Sequence, residues 1–350
     1  MVVARPFGTL PDGTSIDAYV LRNDAIELEA ITWGCIITAL RVAGRNGERL
    51  NVVLGYDRLE PYLSNPAYLG AVAGRYANRI AYGRLPLEGT DHQLTCNDGV
   101  HHLHGGIRGF DQHVWTATTV EGADASGVTF TRTSPAGEEG YPGAAHVRVT
   151  YLVRSDASVA IEYAVTSDAP TVVNLTQHSY FNLGGRGEAT VLGHELTIAA
   201  DSFLPVDAQL IPTGASAEVD RTPFDFRRSA QIGERLQHDH EQLRLAGGFD
   251  HNFVLSRAGG SVNPVATLRS PSSGCTLEIA TTEPGLQLYT GQQLDGRRVS
   301  AGGRILGAHA GVCLETQHFP DSPHHARFPS TVVRPGLPYA SHTTWTFNVT

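Results

Sequence analysis

Apolar and polar residues alternate with a period of two along many short segments of this chain. The clearest segments are Ala25–Thr32, His146–Val153, Ser158–Thr166, Cys275–Thr281 and Thr343–Val349. Such alternation predicts antiparallel strands that each bury one face. The 38 glycines and 19 prolines are spread along the whole length and supply turns, and a polar segment such as Glu121–Gly127 is typical of a hairpin turn. We therefore predict an all-β protein, built as one large antiparallel β-sandwich.

Helical periodicity is scarce in this sequence. Asp57–Leu63 and Ser229–Leu236 could each form a short helix. No Pro/Ser-rich linker, charge block or repeat of fixed period divides the chain. Large all-β folds often run to this length as one unit, so we expect a single catalytic domain over residues 1–350.

The stretch Val173–Gly185, VNLTQHSYFNLGG, begins like a strand but is crowded with hydrogen-bonding side chains. A strand that only filled a core would not carry so many polar groups, because each buried one must find a partner. His178 lies at its centre, and an imidazole changes charge near neutral pH without special tuning. We interpret the stretch as an active-site strand in which Asn174, Tyr180 and Asn182 orient the imidazole.

Glu315 is the second residue that points to chemistry, because it follows Val312, Cys313 and Leu314 in an apolar strand. Burial raises the pKa of a carboxyl group toward the range that is useful for a general base. An edge-strand glutamate facing water is the usual explanation for an isolated Glu in a strand. The polar residues that follow it, TQHFPD, favour an active site instead.

The composition narrows the possible functions. The formal net charge of −9 argues against nucleic acid or an anionic membrane as a partner. All 26 basic residues are Arg, which excludes a lysine Schiff base and a P-loop lysine. No CxxC pair is present, and three of the four cysteines lie in apolar surroundings where Cys acts as a small hydrophobe. Since no apolar run suits a signal peptide or a membrane span, we expect a cytoplasmic protein.

Several other chemistries stay open on the residues alone. His102 and His104 alternate along a possible strand, so a metal site is one alternative, although histidines that hydrogen-bond a polyhydroxylated ligand fit the surroundings as well. A Ser–His–Asp hydrolase would need a GxSxG elbow, which is absent. A glycosidase with Glu315 and Asp250 as paired carboxylates is the main rival.

Taken together, the polar motifs of this chain resemble those of the aldose 1-epimerase (galactose mutarotase) family. They occur in the family's order: GRYANRI, LHGG, NLTQHSYFNLGG, FLPVDAQLIPTG, GFDHNF, PGLQLYTG and CLETQHFPD. The resemblance runs from the strand near Trp33 to the closing RPGLPYASHTTWTF segment. It implies the family's large antiparallel β-sandwich, the galactose mutarotase-like supersandwich, with an aldose in an open cleft and no cofactor.

The resemblance also implies residue roles. Glu315 matches the family's general base, His178 its general acid, and His104 a residue near the ring oxygen that assists His178. The implied sugar-binding residues are Asn78, Arg79, Asp250 and Gln287. We expect no metal, and expect a structural or supporting role for the remaining histidines of these motifs, His101, His102, His251 and His318.

Opening a sugar ring requires a base on the anomeric hydroxyl and an acid on the ring oxygen, acting together. We expect attraction between Glu315 and His178 to hold the first as an anion and the second as a cation near pH 7. Two rivals on the same fold stay open. One is a non-catalytic sugar-binding protein, and the other is a phosphosugar-specific epimerase served by Arg75, Arg84 and Arg108. The sequence indicates neither the preferred aldose nor an oligomeric state.

Overall fold

The computed structural model describes residues 1–45, 48–256 and 261–349. Strands dominate these residues. In the first half they are β1 Val2–Thr9, β2 Ser15–Arg22, β3 Ile26–Ile31, β4 Ile37–Ala43, β5 Arg49–Asn51, β6 Val72–Ala73, β7 Arg79–Ile80, β8 Arg84–Leu87, β9 Thr90–Gln93, β10 His102–Leu103, β11 Thr116–Glu121, β12 Ala125–Ser134, β13 Ala145–Arg154 and β14 Ser158–Ser167. In the second half they are β15 Thr171–Val172, β16 Thr176–Gln177, β17 Tyr180–Phe181, β18 Glu195–Ile198, β19 Ala200–Phe203, β20 Ala217–Glu218, β21 Ala230–Gln231, β22 Asp250–Leu255, β23 Asn263–Arg269, β24 Cys275–Thr281, β25 Gly285–Tyr289, β26 Val312–Gln317, β27 Val332–Val333 and β28 Tyr339–Val349.

Helices are short and few in the same residues. The two α-helices are α1 Ile232–Leu236 and α2 Glu241–Ala246. Single 3₁₀ turns lie at Glu60–Tyr62, Ala81–Gly83, Phe110–Gln112, Glu138–Gly140, Gly185–Gly187 and Ser322–His324. No helix in the part of the chain that the structure describes is long and apolar enough to cross a bilayer.

Two large antiparallel sheets form the body of the molecule. The first has nine strands in the order β11-β12-β13-β14-β28-β24-β23-β18-β21, and the second has six in the order β17-β26-β25-β22-β19-β20. A separate five-stranded sheet, β1 to β5 in sequence order, packs against β12 and β13 of the first sheet. The prediction of an all-β sandwich is therefore confirmed.

The core lies between the nine-stranded and six-stranded sheets and is filled by alternate residues of each strand. Phe181 of β17 packs edge-on against Trp345 of β28, with ring centroids 4.9 Å apart. Thr316 of β26 and Thr343 of β28 face each other through their hydroxyls at 2.7 Å. This packing leaves the opposite face of β26 free to carry polar residues, because successive side chains of a strand point to opposite sides.

The five alternating segments all form strands, Cys275–Thr281 with the same bounds and the other four with ends that differ by a few residues. The Glu121–Gly127 segment contains the β11–β12 hairpin turn. Of the two expected helices, Ser229–Leu236 contains α1, while Asp57–Leu63 contains only a 3₁₀ turn. The single domain over residues 1–350 stays a prediction.

Candidate active site

One face of the six-stranded sheet carries a polar patch that strand register brings together. Gln287 of β25 pairs with Glu315 of β26 on one side and with Asn252 of β22 on the other, and Tyr289 pairs with Asp250. Residues paired directly across adjacent strands share a face, and so do residues two positions apart on one strand, so these five side chains project to the same side. Since β26 is an interior strand and loops cover this face, Glu315 is only 2% exposed. The alternative of a solvent-facing edge glutamate is therefore wrong.

His178 is held opposite Glu315 by the short segment between β16 and β17. Its backbone N–H donates to the carbonyl of Ala71 at 2.8 Å, and its carbonyl accepts from the N–H of Gly70 at 3.0 Å. Its Nε2 lies 3.7 Å from Oε1 of Glu315. The stretch Val173–Gly185 is not one strand, as we expected, but contains two two-residue strands, β16 and β17, in different sheets.

His104 reaches the site from a turn and not from a strand face. The pairing of β10 with β7 places Leu103 opposite Arg79, and the chain then leaves β10. His104 itself has φ of +50°, the left-handed region that non-glycine residues seldom adopt. The expectation that His102 and His104 share one strand face is wrong for this reason. Of His102 and His104, only His104 lines the cavity.

Hydrogen bonding defines the protonation of His104. The backbone N–H of Asn78 donates to Nδ1 of His104 at 3.2 Å, so Nδ1 is the acceptor and Nε2 carries the proton. Burial lowers the pKa of His104 well below its ordinary value, and the neighbouring His178 and Arg79 lower it further. His104 is therefore a neutral imidazole whose remaining N–H is a permanent donor.

Arg79 joins the polar residues of the loops to those of the sheet. Its Nε donates to Oδ2 of Asp98 at 2.9 Å, and its guanidinium lies 3.7 Å from Oδ2 of Asp250. The amide of Gln287 donates to Oδ1 of Asp250 at 2.7 Å. These contacts hold Asp250 and Arg79 in position for hydroxyl groups, which need both donors and acceptors.

The residues described above surround a cavity of about 290 Å³. Of the seven residues that the sequence indicated, six line it: Asn78, Arg79, His104, His178, Asp250 and Glu315. Gln287 is not in the lining and reaches the cavity through its hydrogen bond to Asp250. Direct contact of Gln287 with a ligand stays a prediction.

The electrostatics of the central pair differ from what we expected. Burial raises the pKa of Glu315 well above its ordinary value; Asp250 raises it further and Arg79 lowers it. Burial lowers the pKa of His178 to about 4. Both shifts favour uncharged groups, so the proton that the pair shares resides on Glu315. Burial therefore opposes both charges of the expected ion pair, and the 3.7 Å separation is too long for a direct hydrogen bond.

A metal ion would fit the donor distances but not the donor chemistry. One ligand atom from each of His104, His178 and Glu315 lies within 4.8 Å of the other two. However, Nδ1 of His104 already accepts the N–H of Asn78, which leaves the proton on Nε2. Neither nitrogen of His104 then offers a free lone pair, which a metal ligand requires.

The glycosidase alternative pairs Asp250 with Glu315, and both residues line the cavity. The two carboxyl groups project from the same sheet face, on strands separated only by β25. A glycosidase requires two acids that flank the scissile bond. His178, which faces Glu315 from another segment, is the better partner.

Tyr68 is a lining residue that the sequence reasoning missed. Its ring centroid lies 4.6 Å from that of His104, and its hydroxyl accepts a hydrogen bond from the amide of Asn97 at 3.3 Å. Its backbone has φ of +51°, in the left-handed region, so placing the ring here costs local backbone strain. The available sequence signal was only its position in a turn-rich segment before Gly70.

The apolar sequence around Cys313 predicts a small hydrophobic role for it, yet its Sγ lies 3.5 Å from Nδ1 of His178. The four remaining histidines of the motifs have partners of their own. His101 accepts from the N–H of Tyr82 and His251 from the N–H of Asp250, while His102 contacts the hydroxyl of Tyr141 and His318 the buried carboxylate of Glu283. All four lie outside the cavity lining.

Comparison with known proteins gives a consistent result. The sequence model of the aldose 1-epimerase family matches residues 17–346. Galactose mutarotase of Rattus norvegicus is 45% identical over 340 residues, covering 97% of this chain and 96% of the relative. Aldose 1-epimerase of Escherichia coli (strain K12) is 36% identical over 340 residues, covering 96% of each.

A solved structure extends the similarity to the fold. The crystal structure of galactose 1-epimerase from Lactobacillus acidophilus NCFM superposes with a TM-score of 0.87 at 28% identity, covering 100% of this chain and 99% of that one. The matched region contains both large sheets and every segment that lines the cavity.

Proposed function

The chain belongs to the aldose 1-epimerase family, and on that premise we propose that it interconverts the α and β anomers of free hexoses such as glucose and galactose. In this proposal Glu315 is the general base, His178 is the general acid, and His104 is a neutral donor to the ring oxygen. Asn78, Arg79, Asp250 and Gln287 bind the sugar. No metal or other cofactor takes part.

The observation that carries the proposal is the pairing of Glu315 with His178. Oε1 of Glu315 and Nε2 of His178 lie 3.7 Å apart, both buried and both facing one cavity. The anomeric hydroxyl and the ring oxygen of a pyranose are attached to the same carbon. One sugar can therefore contact a base and an acid that are this close together.

Ring opening follows from this placement. The carboxylate of Glu315 takes the proton of the anomeric hydroxyl, the C1–O5 bond breaks, and Nε2 of His178 delivers its proton to O5. The product is an open-chain aldehyde with a hydroxyl at C5. Rotation about the C1–C2 bond presents the other face of the aldehyde. Closure reverses the two transfers, so the base becomes the acid and the acid becomes the base.

The reactive charge state differs from the favoured one only in the position of one proton. Burial favours protonated Glu315 and neutral His178, and moving that proton to His178 gives the carboxylate and imidazolium that ring opening requires. Arg79 assists because its positive charge lowers the pKa of Glu315. The two forms hold the same number of protons, so pH does not change their ratio.

The charges of the cavity favour a neutral sugar over a phosphosugar. Its described lining has two arginines, Arg79 and Arg298, and three carboxyl groups, those of Asp250, Asp295 and Glu315. Arg79 already contacts Asp98 and Asp250. The arginines suggested by the sequence for a phosphate are elsewhere: Arg75 is buried and its guanidinium is bonded to Ser134, Thr171 and backbone carbonyls.

A non-catalytic sugar-binding protein is the rival of a different class. Binding alone requires hydrogen-bond donors and acceptors, which Asn78, Arg79 and Asp250 already provide. It does not require a buried glutamate and an imidazole held opposite each other, since burying such groups costs free energy. The pair thus supports catalysis.

Polarimetry on freshly dissolved α-glucose and α-galactose tests the proposal. The protein should speed the approach to anomeric equilibrium, and Glu315→Gln should abolish the acceleration while largely preserving sugar binding. Glu278→Gln is the matched control, because Glu278 is exposed on β24. A well-folded Glu315→Gln protein with near-normal rates would refute the assignment. Preference for hexose phosphates over free hexoses would favour the phosphosugar epimerase.

A further inference from the structure

Cys313 lies directly beside the proposed acid of the reaction. Its Sγ is 3.5 Å from Nδ1 of His178, within the range of a sulfur hydrogen bond, and its side chain is fully buried. On the premise of the proposed function, we propose that Cys313 is a positioning residue whose thiol accepts the Nδ1 proton of His178. This contact keeps Nε2 directed at Glu315 and at the sugar.

Strand register explains how one strand supports both members of the pair. Tyr180 pairs with Cys313 across β17 and β26. His178 precedes Tyr180 by two residues and Glu315 follows Cys313 by two, so this antiparallel pairing brings His178 close to Glu315, while the backbone of His178 bonds to Gly70 and Ala71. Residues two apart on a strand share a face, so Cys313 and Glu315 both project toward His178. Nδ1 then meets the thiol and Nε2 meets the carboxyl group.

The proton transfers of ring opening require that Nδ1 of His178 carries a proton. During ring opening Nε2 of His178 must release a proton and later take it back, so Nδ1 must keep its own proton throughout. A neutral imidazole with its proton on Nε2 could not recover the proton at that nitrogen. Cys313 can accept the Nδ1 proton because its thiol sulfur has lone pairs.

As the acceptor at Nδ1, a thiol suits a general acid such as His178 better than a carboxylate would. Burial raises the pKa of the Cys313 thiol well above its ordinary value, so it stays uncharged. A carboxylate at Nδ1 would make the imidazole more basic, whereas a thiol is a weak acceptor. Burial lowers the pKa of His178 to about 4, which makes its protonated form a strong donor to the weakly basic ring oxygen.

Packing is the alternative role for Cys313, and the chain offers a matched control. Cys275 is likewise buried in an apolar cluster but is in β24 of the nine-stranded sheet, away from the cavity lining. The test compares Cys313→Ala, Cys313→Ser and Cys275→Ala in the full chain. Thermal unfolding of each variant separates packing losses from catalytic ones.

We expect Cys313→Ala to lower kcat about three- to tenfold with KM nearly unchanged, the effect of losing one ordinary hydrogen bond in the transition state. Cys313→Ser keeps an acceptor and should retain a kcat closer to the original than Cys313→Ala does. Cys275→Ala should leave kcat unchanged. An unaltered kcat in Cys313→Ala, equal losses in Cys313→Ala and Cys313→Ser, or a change in KM alone would overturn the proposal.

A second readout does not depend on activity. Nitrogen-15 NMR of the histidine rings should find the His178 proton on Nδ1 in the original protein and a mixture of tautomers in Cys313→Ala. A proton on Nε2 in the original protein would overturn the positioning role even if mutarotation is normal. Absence of mutarotation in the original protein would refute the proposed function and leave the NMR result to decide on Cys313.

Discussion

The pH dependence of the reaction tests the electrostatics of the buried pair. The active form of the pair holds one proton, and a second proton arriving on His178 inactivates it. Burial lowers the pKa of His178 to about 4, so inactivation should begin only near that pH. At pH 5.5 an imidazole with an ordinary pKa of about 6.5 would be neutral in only about one tenth of molecules, whereas one with a pKa of about 4 is neutral in about 97%.

The assay is kcat/KM from polarimetry at pH 7.5 and pH 5.5, with the uncatalysed rate at each pH subtracted. We expect the two values to agree within about twofold, because His178 gains almost no proton over this interval. A tenfold decrease with a midpoint near pH 6.5 would show that His178 titrates as an ordinary imidazole, and would refute the desolvation argument. Far-ultraviolet circular dichroism at both pH values checks that the fold is retained.

The kinetic result does not reveal which member of the pair holds the proton, since both one-proton forms have the same pH dependence. Infrared spectroscopy of the carboxyl stretch does. We expect the proton on Glu315, because burial opposes both charges. A protonated-carboxyl band that is present at pH 7 and lost in Glu315→Gln is the expected outcome, and its absence would restore the ion pair that the sequence suggested.

Two further predictions concern Glu315 and its neighbour. Asp250→Asn removes an anion that raises the pKa of Glu315, so the alkaline limb of kcat/KM should move to lower pH and KM should rise; an alkaline limb that stays in place or moves upward would contradict the assigned coupling. The pKa of Glu315 is raised in the folded state, so this carboxyl contributes stability below its unfolded pKa and loses that contribution as pH rises. The free energy of unfolding of Glu315→Gln, relative to the original protein, should therefore be higher at pH 8 than at pH 4.5. Urea unfolding midpoints at the two pH values measure this, and an identical difference at both would contradict it.

The sequence contains enough information to predict the sandwich and the central pair. Period-two alternation is a local property, and Cys275–Thr281 forms a strand with those same bounds. Glu315 and His178 stood out because polar groups in apolar strands need partners. Helix α2, by contrast, was missed, because six residues are too short for helical periodicity to register.

The remaining features of the site depend on contacts between distant segments. Tyr68 and His104 occupy left-handed backbone conformations that no local pattern announces for these residue types. The location of the shared proton depends on burial by loops that cover β26. The thiol of Cys313 meets His178 only because β17 and β26 are neighbours, a pairing between residues more than 130 positions apart. None of these can be deduced from residue type and spacing alone.

The central claim is that Glu315 and His178 act as one acid/base couple, and a double-mutant cycle tests it most directly. Mutarotation rates would be measured by polarimetry for Glu315→Gln, His178→Asn and the double variant, with sugar binding checked by calorimetry. Each single change should reduce kcat by about 10²- to 10⁴-fold, and the double variant should be no slower than the slower single one, because both groups act in the same step. Losses that multiply in the double variant, or a single variant with near-normal kcat, would contradict the couple.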